Sequence, residues 1–366
     1  MKSILLASTA LVAFAGAAAA DGHASIATNL STTLGYNDFD GGDEYGFYWE
    51  GNLQTTASAA LDNGVTAGAY FEITVATDDA VPANDFGQPL ESSDFVISLE
   101  SESAGLYFGD TGMAADQHWT AAGDMESDNF STGSDSAVLR GDVSFGGVST
   151  SISVVAVDGT TDYEQLSFGA SGEFGAFTAA IAYQEEVDAT TNTNGDFSDA
   201  EVFGLSVGGT FAGATVTGAY AQNSTADSTS LGVQVAYPFG PVTATAYFVA
   251  EEGTDLPDED PNYGLTLAYS DGPISATLDY DNDQGLSIWE LSGFYDLGNG
   301  LVLGAGYAGD DSEDENQSYF VSADYDLGGG AALLISYAED DTGGAGDEIG
   351  PNDLQEGATV ELAFEF

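Results

Sequence analysis

Residues 263–280, YGLTLAYSDGPISATLDY, decide the fold. Apolar residues alternate with small or polar ones on both sides of a Ser-Asp-Gly-Pro turn at 270–273, and the apolar positions are Tyr263, Leu265, Leu267, Tyr269, Ile274, Ala276, Leu278 and Tyr280. Successive side chains of a β-strand point to opposite faces. The stretch therefore predicts an antiparallel hairpin with one apolar face and one polar face.

The same alternation runs outward in both directions, and clear examples are 177–184, 231–237 and 358–366. Short Gly- and Asn-containing turns alternate with longer acidic connections, and the apolar faces often end in Tyr or Phe. Aromatic girdles, short turns on one rim and long loops on the other are typical of outer-membrane barrels. We therefore predict an all-β fold: an antiparallel transmembrane β-barrel with short periplasmic turns and long acidic external loops. The strand number is even and between 16 and 20, and the hairpin count favours about 20.

The first 20 residues, MKSILLASTALVAFAGAAAA, have the pattern of a secretory signal peptide. A basic residue, Lys2, precedes a short apolar stretch that ends in small residues, with cleavage expected after Ala20. Residues 21–366 then form a single barrel domain. The mature chain would carry one cation, Arg140, against 61 acids, a formal charge of −60.

This charge balance excludes several classes of function. The 366-residue chain has 2 Lys+Arg and no Cys, so it lacks the cations that nucleic-acid binding requires. It also lacks thiolate nucleophiles and Cys-ligated zinc sites. The two histidines are His23 and His118, and neither belongs to a catalytic motif. The sequence does not predict an enzyme.

Four stretches resemble the general porins of Rhodobacter-type α-proteobacteria: LDNGVTAGAYFE (61–72), AGLYFGDTGMAADQ (104–117), SYFVSADYDLGGGAALLISYAEDD (318–341) and ATVELAFEF (358–366). The resemblance implies a homotrimer of 16-stranded barrels in the outer membrane of a Gram-negative bacterium. It implies contacts with outer-membrane lipid and lipopolysaccharide, and passive diffusion of small hydrophilic solutes. It also implies that the third loop folds into the barrel and constricts the pore.

The resemblance places this inward loop at about 110–136. Its acidic residues are Asp110, Asp116, Asp124, Glu126, Asp128 and Asp135. The open alternative is an ordinary acidic external loop. Strand parity directs Arg140 to the lumen, where it pairs with the loop acids or with Asp142. It either pins the loop to the wall or influences selectivity.

Parity predicts an acidic pore wall as well. The lumen-facing polar residues are Glu50, Asn52, Gln54, Glu72, Glu100, Asp142 and Glu361. In the resembled family, Arg and Lys on the wall face the acidic loop, whereas the corresponding early strand of this chain has Glu50, Asn52 and Gln54. Rings of Asp and Glu favour cations, so we predict a cation-selective pore.

The remaining expectations concern assembly, ions and alternative functions. The terminal Phe366 is expected to act as an assembly signal. No cofactor is expected, although the acidic loops offer oxygen ligands for loosely bound Ca²⁺ or Mg²⁺. Two alternatives stay open: a secreted acidic β-rich surface-layer or adhesin protein, and a substrate-specific channel with lumen-facing Tyr48, Tyr70 and Tyr107.

Overall fold

The computed structural model describes residues 24–39, 45–62, 64–76, 90–91, 94–133, 137–156, 163–187, 197–253, 260–312, 316–341 and 349–366. The expected signal peptide at 1–20 and the constriction residue Asp135 lie outside these ranges. So does much of the acidic external loops.

The first eight strands are β1 (Ala24–Asn37), β2 (Gly46–Ala60), β3 (Thr66–Ala76), β4 (Leu90–Glu91), β5 (Phe95–Glu100), β6 (Ala104–Asp110), β7 (Ala137–Phe145) and β8 (Val148–Ala156). The next seven are β9 (Tyr163–Phe174), β10 (Phe177–Gln184), β11 (Val202–Phe211), β12 (Ala214–Asn223), β13 (Ser228–Phe239), β14 (Val242–Gly253) and β15 (Asn262–Asp271). The last six are β16 (Ile274–Asp283), β17 (Leu286–Gly298), β18 (Leu301–Asp310), β19 (Gln317–Gly328), β20 (Ala331–Asp340) and β21 (Gly357–Glu365). Within the described ranges there is one helix, α1 (Ala114–His118).

The strands form a closed antiparallel barrel. Sequential neighbours pair, and β1 pairs with both β2 and β21. The short β4 and the longer β5 both pair with β3 and occupy one position in the wall, which gives 20 barrel strands. The count from the sequence pattern is therefore confirmed, and the 16 strands implied by the resemblance are wrong for this chain.

The C-terminal residue takes part in closing the barrel. Phe366 donates its backbone N–H to the carbonyl oxygen of Leu30 over 2.8 Å, and the N–H of Leu30 donates to Phe366 over 3.2 Å. The terminal strand is thus hydrogen-bonded on both edges, since β21 also pairs with β20. A closed sheet leaves no unpaired strand edge, which a bilayer would not tolerate.

The apolar residues of the alternating pattern face outward. On β13, Leu231, Val233, Val235 and Tyr237 are 61%, 46%, 38% and 47% exposed. Exposed side chains of this type in every part of the wall form a lipid-facing surface, because lipid takes the place that a protein core has elsewhere. Among the described residues, no helix has the length and hydrophobicity needed to cross a membrane.

The turns on one rim are tight. Between β7 and β8 the connection is Gly146-Gly147, with φ of 62° and 85°. A two-residue hairpin turn of this kind needs positive φ at both positions, which glycine adopts without steric cost. On the opposite rim the connections are mostly longer, and one of them, after β6, enters the barrel.

Candidate functional site

The inward loop leaves the wall directly after β6. The Asp110 carboxylate accepts the backbone N–H of Phe95 over 2.6 Å, so this acid extends the pairing with β5. Gly109 has a φ of 123°, and a Cβ there would lie 2.0 Å from the carbonyl oxygen of Phe95. The chain therefore turns at a position that only glycine can occupy. The bond from Phe95 to Asp110 holds the backbone where the loop leaves the strand.

The first part of the loop is bonded to the inner wall. The N–H groups of Ala114 and Ala115, at the start of α1, donate to the hydroxyls of Ser153 and Ser167 over 2.9 and 2.8 Å. The first N–H groups of a helix have no partner within it. Small hydroxyl side chains on β8 and β9 supply these partners and fix α1 inside the barrel.

The second part of the loop is bonded in the same way. Ser127 donates its backbone N–H to Ser230 on β13 over 2.9 Å. The N–H of Ser131 donates to the Gln184 amide oxygen over 2.7 Å. Loop backbone groups that would otherwise lie buried without partners are therefore satisfied by polar side chains of the inner wall.

Glycines on the inner wall let the loop approach closely. A Cβ at Gly232 would lie 2.3 Å from the carbonyl oxygen of Ala122, and one at Gly204 would lie 2.5 Å from the Trp119 ring. Gly169 has the same role beneath α1. The loop is consequently packed against β8–β15, with Ala122 fully buried.

Two loop acids, Asp124 and Glu126, remain exposed to the lumen. Their carboxylate oxygens and one of Asp283, at the end of β16, lie within 4.8 Å of one another. Asn262 donates to Glu126 over 3.2 Å and to the backbone carbonyl of Asp124 over 3.3 Å. The arrangement concentrates negative charge where the loop meets the wall.

The pKa values of these loop acids are raised. Partial burial is the main cause for Asp124, and the charges of Asp283 and Asp281 add to it. Burial also raises the pKa of Glu126, against the lowering effect of Asn262. Neighbouring carboxylates destabilise one another's charged form. The constriction therefore loses charge at a higher pH than isolated carboxyls would.

Two further loop acids are less available to the lumen. The indole of Trp119 donates to the Asp128 carboxylate over 2.9 Å. Burial raises the pKa of Asp128 and is the cause of the raised pKa of Asp116. Both side chains are half-buried, so Asp124 and Glu126 are more exposed to the pore than these two acids.

Arg140 on β7 is 8% exposed. Its Nε lies 3.1 Å from Asp142, its Nη1 donates to the carbonyl oxygen of Gly112 over 2.6 Å, and its guanidinium lies 4.8 Å from the ring centre of Tyr107. The guanidinium thus pairs with Asp142 and holds the start of the loop against the wall. Its charge is compensated by Asp142.

Polar residues of β2 and β3 face the interior, as parity predicts. Gln54 donates to Glu72 over 3.0 Å, and Asn52 donates to Glu50. Tyr48 donates to Glu361 over 3.0 Å. Glu100, at the end of β5, is exposed. Apart from Glu100, these residues make a hydrogen-bonded acidic wall.

The lumen-parity tyrosines have structural partners. Tyr48 bonds Glu361, Tyr70 bonds Glu72, and Tyr107 lies beneath Arg140. None of them is left free to form an aromatic path of the kind that the substrate-specific alternative requires.

The structure also shows interior acids that the sequence analysis did not assign to the pore. On β16, Asp281 accepts the Tyr247 hydroxyl over 2.8 Å, and Asp283 lies beside the loop. On β17, Glu290 lies opposite Asp279 of the neighbouring strand. Asp279 belongs to the polar face of the opening hairpin, and Asp281, which follows the quoted stretch, continues that face, so strand parity could have identified both.

The known proteins to which this chain is similar are porins. A family described as Gram-negative porin matches residues 7–345. A triple mutant of the Rhodopseudomonas blastica porin is 13% identical, with 94% of this chain and 100% of that chain covered and a TM-score of 0.45. A second variant of that porin has 14% identity, the same coverage and a TM-score of 0.45. No curated protein matches the chain.

Proposed function

Because the chain belongs to the Gram-negative porin family and its fold is that of an outer-membrane diffusion channel, we propose that its pore favours cations over anions. Family membership implies a channel rather than an enzyme, and supports this function over a secreted surface-layer or adhesin protein. General diffusion of small hydrophilic solutes needs no cofactor.

One observation carries the proposal: acids face the lumen from the loop and from the wall, while Arg140 is buried against Asp142. A cation in the constriction meets Asp124 and Glu126 on the loop and Asp283 on the wall. In a narrow pore with low-dielectric walls, charges of one sign raise the local concentration of counter-ions. Anions are correspondingly depleted.

The test is the reversal potential of reconstituted channels in a KCl gradient. We expect a clear preference for K⁺ in the wild type. Asp124→Asn with Glu126→Gln should lower the K⁺/Cl⁻ permeability ratio by roughly two- to fivefold, because a unit charge at 4 Å in water contributes about 1 kcal/mol before salt screening. Asp271→Asn, at an exposed turn outside the pore, is the matched control. An anion preference in the wild type would overturn the proposal.

The proposal includes a homotrimer. The ladder between β5 and β6 has five residue pairs, Val96–Gly109 to Glu100–Gly105, whereas that between β1 and β2 runs from Ala24–Ala59 to Asn37–Gly46. Five residues extend about 17 Å along a strand, which is less than the ~25 Å apolar band. Outward Ile97 and Phe108 are 49% and 37% exposed. Contact with neighbouring copies would cover this low part of the wall, and chemical cross-linking in detergent tests it.

Export and insertion complete the proposal. A leader at 1–20 directs the chain to the outer membrane, and aromatic side chains near the strand ends contact lipid and lipopolysaccharide. Phe145 and Phe211, next to turns on one rim, are 87% and 80% exposed and support this placement. Mass spectrometry of the N-terminus of the exported protein tests cleavage after Ala20.

A further inference from the structure

A cavity of about 510 Å³ lies inside the barrel beneath the inward loop. Its floor is the inner face of β8–β12 near the short turns, residues of α1 and Trp119 border it on the side of the loop, and it is open to the lumen. The side chains that matter here are Ser149, Ser171, Thr178, Ser206, Thr217 and Gln117. The volume falls within the ~300–1,000 Å³ range of small-molecule sites.

The cavity is almost uncharged in a chain with 61 acids. Within the described part of the chain, Glu173 is the one acidic residue that lines it. His118 lines it too, and burial lowers the pKa of this imidazole, which favours its neutral form. Both ring nitrogens of His118 are hydrogen-bonded over 2.8 Å, to Ser151 and Ser171. The wall of β8–β12 therefore differs in chemistry from the acidic wall across the pore.

Several polar groups of the cavity are unpaired. Ser206 is 4% exposed, and its hydroxyl has no hydrogen-bond partner among the described residues although it lines the cavity. The hydroxyls of Thr178 and Thr217 and the amide of Gln117 likewise have no partner in the described part of the chain. Of these four residues Ser206 is the buried one, where a hydroxyl is normally hydrogen-bonded. Thr178 and Gln117 are exposed and Thr217 is half-exposed, so their polar groups face the lumen, where a solute can bond them.

We propose that this cavity binds an uncharged polyhydroxylated solute, a saccharide of one or two rings. The inference rests on the proposed function, since the solute reaches the cavity through the pore. An anion would find no cationic side chain in the cavity, and a cation would find more carboxylates at the loop and the opposite wall. A hydrocarbon would leave the hydroxyls unpaired. Hydroxyl groups that both donate and accept match a ligand with the same property.

Trp119 adds an apolar surface to the site. Its indole N–H donates to Asp128 over 2.9 Å, and its ring packs against Gly204. These contacts hold the ring in one orientation at the edge of the cavity. The ring is also packed against Phe130, with ring centres 5.5 Å apart. Trp119 is therefore a fixed edge of the cavity, and the hydroxyl side chains of the wall are the groups that contact a solute.

Sucrose is the probe, added to single channels in planar bilayers. We expect a saturable decrease of the ionic current with concentration, and no saturation for a polyethylene glycol of equal hydrodynamic radius. Ser206→Ala and Thr217→Val, tested separately, should each weaken the apparent sucrose affinity by about two- to tenfold, the range for one neutral hydrogen bond. Ser275→Ala, on the inner face of β16, is the matched control.

Unchanged conductance without sugar shows that each variant is folded, and the two variants serve as independent tests. Identical effects of sucrose and polyethylene glycol on the wild type would overturn the saccharide site. The reversal potential is measured in the same bilayers. A cation-selective channel without saturable sucrose block contradicts this inference alone, whereas an anion-selective channel contradicts the proposed function.

Discussion

Arg140 donates a hydrogen bond from Nη1 to the carbonyl oxygen of Gly112 over 2.6 Å, which joins the wall to the start of the inward loop. The same guanidinium pairs with Asp142, and the residue is 8% exposed. Arg140, one of the two cationic residues of the chain, therefore anchors the loop. Hydrogen bonds from charged donors contribute more to stability than neutral ones.

The first prediction concerns this anchor. Arg140→Leu should destabilise the loop by ~1.5–3 kcal/mol, because it removes a charge-assisted bond and leaves Asp142 without its partner. We expect larger current fluctuations in the open channel and a lower Tm in detergent.

Asp142→Asn is the companion variant, since it leaves the bond to Gly112 in place and should have a smaller effect on current noise. Equal noise and equal Tm in wild type and Arg140→Leu would show that Arg140 does not hold the loop.

The second prediction concerns the close approach of loop and wall. Gly232→Ala places a methyl group 2.3 Å from the carbonyl oxygen of Ala122 unless the loop shifts. Overpacking of this kind costs about 1–3 kcal/mol, so the loop should move into the pore or away from the wall and change the single-channel conductance.

Gly141→Ala is the matched control, because a Cβ there meets no atom within 4 Å. Conductance should be unchanged in this variant. If both alanine variants behave like the wild type, the loop does not rest on Gly232 in the membrane.

The sequence was enough for the barrel and for the side of the wall on which most residues lie. Alternation is a local property with a period of two, so it can be recognised without knowing which strands pair with one another. It gave the approximate strand number and placed Arg140 next to Asp142. The alternation is weak around Trp289 and Glu290, where the sequence alone leaves the strand uncertain. The structure has a continuous strand there, and Glu290 faces inward opposite Asp279.

The contacts that hold the inward loop against the inner wall could not be predicted from the sequence. Gly169, Gly204 and Gly232 look like ordinary strand glycines, and the serines that bond the loop look like ordinary lumen residues. Their role depends on contacts between positions separated by up to about a hundred residues, such as Ser127 with Ser230. For the same reason, the sequence does not show that the Asp110 carboxylate accepts a bond from the backbone of Phe95.

The third prediction is a loss of cation preference on acidification. Burial and neighbouring charges raise the pKa values of Asp124 and Glu126, so these acids become neutral at a higher pH than free carboxyls, whose pKa values are about 4. Measured from pH 7 down to about 4, the K⁺/Cl⁻ ratio should begin to fall above the ordinary carboxyl range. In Asp124→Asn with Glu126→Gln the ratio should be lower at pH 7 and should change less over this range.

The same shift predicts the direction of the stability change. A carboxyl with a raised pKa in the folded state binds protons more readily there than in the unfolded chain, so folding is favoured as the pH falls through the raised value. We expect Tm in detergent to rise slightly as the pH is lowered over the same range. A constant ratio and a constant Tm over this range would contradict the placement of these acids.

The last prediction concerns divalent cations. Asp124, Glu126 and Asp283 bring three carboxylate oxygens within 4.8 Å, and carboxylate oxygens are the ligands that Ca²⁺ and Mg²⁺ prefer. Millimolar Ca²⁺ should therefore lower the K⁺/Cl⁻ ratio more than KCl added to the same ionic strength, and a chelator should restore it. In Asp283→Asn the difference between the two salts should shrink, while Asp271→Asn should retain it. Equal effects of Ca²⁺ and KCl in the wild type would show that the cluster acts only as diffuse charge, because screening alone depends on ionic strength and not on the identity of the cation.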